Sequence, residues 1–69
     1  MNMKEVTNMP LVTVKVLEGK TIEQKRALVK DITEAVVKDF EVPVSAVTID
    51  IVDLSKENLA IGGTLFTDR

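Results

Sequence analysis

Val12, Val14 and Val16 alternate with Thr13 and Lys15 directly after Pro10. This period of two, in residues of high strand propensity, predicts a first strand over 10–17. Proline is tolerated as a strand's first residue because its missing N–H need not join the ladder. Glu18-Gly19-Lys20 predicts a turn, after which Thr21 suits a helix N-cap and Gln24, three residues on, completes a capping-box pattern. From 22 to about 40, Leu28, Val29, Ile32, Val36 and Phe40 recur at spacings of three and four. That is the apolar stripe of an amphipathic helix. Lys25, Arg26, Lys30, Glu34 and Lys38 are assigned to the opposite, solvated side, with Glu34 and Lys38 as a favourable i,i+4 pair.

Pro43 marks the end of that helix, since the residue before a proline is pushed away from helical dihedrals. A second strand is predicted over 46–53, where Val47, Ile49 and Ile51 alternate with Thr48 and Asp50. Strand, helix and strand with short joins make a β-α-β unit, so the two strands should run parallel with a right-handed crossover. The stretch 54–59 reads as a loop, and Ile61-Gly62-Gly63-Thr64-Leu65-Phe66 as a short hairpin on a Gly-Gly turn. The helix covers one sheet face. The other carries Thr13, Lys15, Thr48 and Asp50 beside Leu11, Leu17 and Val52, a mixture better suited to subunit packing than to open water.

Composition sharpens this picture. At 69 residues the chain is one small domain, of a size that buries only about 60% of its unfolded surface. It has no cysteine and no histidine, so neither disulfides nor a zinc site is expected to reinforce it. Oligomerisation remains. Apolar residues are 45% of the chain but only two are aromatic, leaving more aliphatic surface than one helix and a few strands can cover. The net charge is −2 with no basic run, which argues against nucleic acid as a partner. No apolar stretch approaches the roughly 20 residues that span a bilayer, and residues 1–8 have no apolar core of the signal-peptide kind. The expectation is a soluble cytoplasmic protein.

Met9-Pro10 carries the candidate chemistry. The dipeptide looks like a start in its own right, which would make residues 1–9 an N-terminal extension or a start-site artefact and 10–69 the domain. If Met9 is the true initiator and is removed, the nitrogen of Pro10 changes from an amide to a secondary amine. An amide nitrogen has no useful basicity, whereas an α-amine titrates near neutrality and can act as a general base.

Met9-Pro10, the strand ending Leu17-Glu18-Gly19, the helix opening Glu23-Gln24-Lys25, Pro43 ahead of the second strand, and Ile61-Gly62-Gly63 together resemble the 4-oxalocrotonate tautomerase family. This is the small-subunit branch of the tautomerase superfamily. The resemblance runs from Pro10 to Arg69, nearly the whole chain. It implies an α+β fold: a β-α-β unit with parallel strands, one long helix and a C-terminal hairpin. It also implies assembly into dimers and a homohexamer, a trimer of dimers. The implied activity is cofactor-independent and metal-free. An amino-terminal proline, here Pro10, takes a proton from a 2-hydroxydienoate or enol acid and returns it at another carbon. A secondary amine in an apolar pocket near cations holds its proton less tightly, which brings it toward working pH.

The resemblance assigns substrate contacts too, with departures. Lys20 stands where the family has a carboxylate-binding arginine, keeping the charge but losing the bidentate fork. Thr48 stands where a second arginine polarises the substrate carbonyl; a hydroxyl donates one hydrogen bond without positive charge. Leu59 replaces a pocket aromatic, and Leu17 and Ile61 complete the walls. A lost cation at a developing enolate costs roughly 10²–10³ in rate, so poor turnover of the family's dicarboxylate is expected. Each residue has a plainer reading: Pro10 as a strand-start proline, Lys20 as a turn lysine in solvent, Thr48 as a strand threonine, and Leu59 and Ile61 as subunit contacts. Two other functions stay open. One is a further proline-dependent superfamily reaction (hydration, dehalogenation or decarboxylation); the other is an inactive scaffold, should Pro10 not be the N-terminus.

Overall fold

A computed structural model describes residues 9–69, so the reading of residues 1–8 lies outside the described residues. Its elements are β1 (Leu11–Leu17), α1 (Ile22–Phe40), β2 (Thr48–Leu54), β3 (Ala60–Ile61) and β4 (Thr64–Leu65), with short 3-10 turns at Val44–Ala46, Lys56–Asn58 and Phe66–Asp68. β1 and β2 pair in parallel, Leu11 on Thr48 through Leu17 on Leu54, and β3 and β4 pair antiparallel. The expected β-α-β unit with a C-terminal hairpin is therefore the observed one.

α1 begins as its sequence dictates. Thr21 Oγ1 accepts from the Gln24 N–H at 3.1 Å, and the Gln24 side chain accepts from the Thr21 N–H at 2.9 Å. The helix ends at Phe40 because Glu41 adopts the left-handed conformation, φ 54° and ψ 49°. A terminator of this kind is usually glycine, which has no Cβ to strain it. Pro43 acts two residues later, where it opens the 44–46 turn rather than β2. The Ala46 N–H bonds the Pro43 carbonyl at 3.0 Å and the Val47 N–H bonds the Val44 carbonyl at 3.2 Å. These donors are spent locally, so β2 starts at Thr48 instead of Ala46. At its far end β2 runs one residue further than expected, to Leu54, whose carbonyl accepts from the Glu18 N–H at 2.8 Å. Gly62 and Gly63 turn the hairpin with φ of 60° and 86°, the pair of positive angles that a tight two-residue connection requires. The Phe66 N–H closes the hairpin onto the Leu59 carbonyl at 2.9 Å.

Register puts Val12, Val14 and Val16 beside Ile49, Ile51 and Asp53 on one face, and α1 lies over that face. The contact is thin. Val29, Ile32 and Val36 are half-buried, but Leu28 and Phe40 from the expected stripe are exposed, Phe40 at 65%. Two of the expected charge placements change. Lys25 faces inward and pairs with Asp53 at 2.6 Å, with only 25% of its side chain exposed. Glu34 pairs with Lys30, 3.9 Å away, rather than with Lys38. On the opposite face Thr13 Oγ1 donates to Asp50 Oδ1 at 2.7 Å, among exposed Leu11, Lys15, Thr48 and Val52. Val42, at 6% exposure, is the one buried residue among the described residues, and none is fully buried.

Relieving Glu41 tests the helix terminator. Glu41→Gly should raise the unfolding free energy by about 0.5–1 kcal/mol in a urea titration, since a Cβ is disfavoured in this conformation. An unchanged or lowered value would mean that the left-handed turn is not what ends α1.

Candidate active site

Pro10 sits half-buried at the mouth of β1. Its carbonyl accepts the Thr48 N–H at 3.1 Å, so the first rung of the parallel ladder fixes its position. Its nitrogen has no N–H and takes no part in that ladder. Thr48 is exposed opposite Leu11, on the face not covered by α1. The structure thus brings Pro10 and Thr48 together at one end of the strand pair.

Lys20 lies at the other end. β1 spans seven residues, so roughly 20 Å of extended backbone separates Pro10 from the turn that leads to Lys20. Gly19 makes that turn with φ 112°, a conformation closed to other residues without strain. Lys20 lines a cavity of about 240 Å³ between α1 and the sheet, shared with Val16, Gln24, Lys25, Leu28 and Ile51. Leu17 follows Val16 in an alternating strand, so it faces away from this cavity, half-buried beside its partner Leu54. Leu59 is half-buried at the base of the hairpin arm, and Ile61, within it, is 57% exposed. Within one chain Pro10 and Thr48 share one strand end and Lys20 lies at the other, so the six expected site residues do not converge on one point.

Gln24, Lys25 and Asp53 were not among the expected site residues. Lys25 could have been found from spacing, because Val29, Ile32 and Val36 follow it at intervals of four, three and four. That places it on the inward stripe. Its charge argued for solvent, and only the register that brings Asp53 beneath it shows why burial is tolerated: the ammonium is paired. Among the described residues no group of three or more His, Cys, Asp or Glu side chains converges to hold a metal ion, and no helix is long and apolar enough to cross a membrane.

The family model described as "Tautomerase enzyme" matches residues 10–69. This chain belongs to the tautomerase family. A Bacillus cereus protein named "Probable tautomerase" is 43% identical over 61 residues, covering 88% of this chain and 100% of the relative. The 2-hydroxymuconate tautomerase of Pseudomonas putida is 33% identical over 57 residues, covering 83% of this chain and 90% of the enzyme. Among solved structures, YwhB, a homologue of 4-oxalocrotonate tautomerase, superposes with a TM-score of 0.84 at 40% identity, covering 87% of this chain and 98% of its own. A heterohexameric 4-oxalocrotonate tautomerase from Chloroflexus aurantiacus gives 0.81 at 28% identity, covering 87% and 97%. The fold is that of the 4-oxalocrotonate tautomerases, and the relatives make this member an isomerase of the tautomerase type.

Proposed function

We propose that this protein is a keto–enol or dienol tautomerase for small 2-hydroxydienoate or 2-keto acids, with the nitrogen of Pro10 as the base. The observation that carries this reading is the tie from the Pro10 carbonyl to the Thr48 N–H, which holds the ring at the strand mouth with its nitrogen outside the ladder. The nitrogen lone pair accepts the proton from the 2-hydroxyl as the dienol becomes a dienolate. The resulting ammonium then returns a proton to a carbon of the conjugated chain, leaving a keto acid and the free amine. No net electron transfer occurs and no cofactor is required. The reading requires Pro10 to be the N-terminus. Support comes from the family match, which begins at residue 10, and from the Bacillus relative, whose whole length is matched within 61 residues. Residues 1–9 are then an extension or start-site artefact and 10–69 the domain, in a cytoplasmic enzyme.

Lys20 serves as the carboxylate anchor, Thr48 as a single hydrogen-bond donor, and Leu17, Leu59 and Ile61 as apolar walls. Because roughly 20 Å of strand separates Pro10 from Lys20 within a chain, one substrate can meet both only if the site is assembled from more than one copy. A homohexamer built as a trimer of dimers would supply that arrangement. The exposed apolar residues favour assembly as well: Leu11 at 68%, Val44 at 66% and Ile61 at 57% lie on separate elements and need cover. The heterohexameric Chloroflexus relative supports a hexamer.

Two measurements test the reading. A chain beginning at Pro10 should ketonise 2-hydroxymuconate, whereas Pro10→Ala should lower kcat/KM at least about 10²-fold, the usual worth of a general base. An unchanged rate would overturn the assignment of Pro10. Thr48→Arg should raise kcat/KM for that dicarboxylate by about 10²-fold, by adding a cation where charge develops. No gain would mean that Thr48 does not face the reacting carbonyl.

A further inference from the structure

The cavity at Lys20 holds a feature that the tautomerase reading leaves unused. Val16, Leu28 and Ile51 give it apolar walls, and two lysines, Lys20 and Lys25, line it beside Gln24. The Gln24 carbonyl oxygen accepts from the Thr21 N–H, which leaves its NH₂ donors without a partner on the helix cap. All three polar groups therefore suit an anion. At about 240 Å³ the space lies below the roughly 300–1,000 Å³ of drug-sized sites and suits a small acid. Asp53 sets the balance. It occupies the register position beside Val16 and takes the Lys25 ammonium at 2.6 Å, leaving the two cations and one anion with one net positive charge.

We propose that Lys25, positioned by Asp53, is a second cation of the Lys20 cavity, and that this pair tunes the cavity to bind one carboxylate in preference to two. The proposal deepens the assignment of Lys20 as the carboxylate anchor and rests on it, but not on the chemistry at Pro10. The ion pair joins helix to sheet, and Lys25 also lines the same space as Lys20. Asp53 also acts against a second anionic group, because its own charge repels any carboxylate brought near the pair. Specificity then comes from a built-in repulsion as well as an attraction.

The probes are crotonate and fumarate, which share a four-carbon trans-alkene and differ in one or two carboxylates. Dissociation constants are measured by NMR titration of the full chain and of Asp53→Asn and Lys25→Met variants, with folding checked by circular dichroism. Asp53→Asn frees the Lys25 charge and should tighten fumarate about three- to tenfold, and crotonate less, with the gain shrinking at high salt. Lys25→Met keeps most of the side-chain stem and should weaken both acids, fumarate more than crotonate. A purely structural pair predicts something different: both variants lower the unfolding midpoint and leave both affinities within twofold. That outcome, or weaker fumarate binding in Asp53→Asn, overturns the proposal. Should Lys25→Met fail to fold, the Asp53→Asn arm decides alone, because a purely structural pair predicts no tightening of fumarate. If the expected affinity changes appear in a chain that begins at Pro10 yet shows no tautomerase activity, the proposed function fails and the anion site stands.

Discussion

Seven consecutive parallel pairings, from Leu11 on Thr48 to Leu17 on Leu54, join two segments that lie 37 residues apart where Thr13 meets Asp50. Parallel strands cannot be joined by a tight turn, so the chain must travel back along its own length between them. α1 is that return path. Its capping box fixes where it begins, and the ladder fixes what it covers. The same register sets Asp53 beneath Lys25 and Pro10 beside Thr48. Everything of chemical interest in the molecule thus hangs on one backbone alignment. A slip of one residue would turn Val12, Val14 and Val16 away from the helix and break both associations.

That alignment organises the chain without hiding much of it. One helix on two strands leaves a single residue buried among the described residues, and none fully, while Leu11, Ile22, Phe40, Val44 and Ile61 stay more than half exposed. Domains of this size sit near the limit at which one core suffices. The proposed assembly would address stability and chemistry together, covering these surfaces and bringing Pro10 of one copy to Lys20 of another. Loss of a cation at Thr48 and retention of one at Lys20 would then shift the site from gripping a substrate at both ends to gripping it at one.

The fold was largely legible because its signals are local. Alternating valines, a Thr21–Gln24 capping box and a Gly-Gly turn each determine structure within a few residues. The misreadings came where longer-range geometry decides. Glu41 ends the helix although its side chain disfavours the required backbone, and nothing in its identity announces that. The start of β2 moved because Pro43 spends the nearby amides in a turn. Lys25 looked solvated because its charge outweighed its position on the stripe, and its partner is visible only once the strand register is known. The site was less legible than the fold for the same reason. Pro10 and Lys20 lie toward opposite ends of one strand, and no spacing along the chain brings them together.

Sedimentation velocity and thermal unfolding, run on the full chain over a range of concentrations, test most directly whether the fold is completed by other copies. If it is, a single species several times the mass of one chain will sediment, and its unfolding midpoint will rise with concentration, because folding and association are then one equilibrium. A species of one chain's mass, folded and with a midpoint independent of concentration, would contradict the shared core and the shared active site with it.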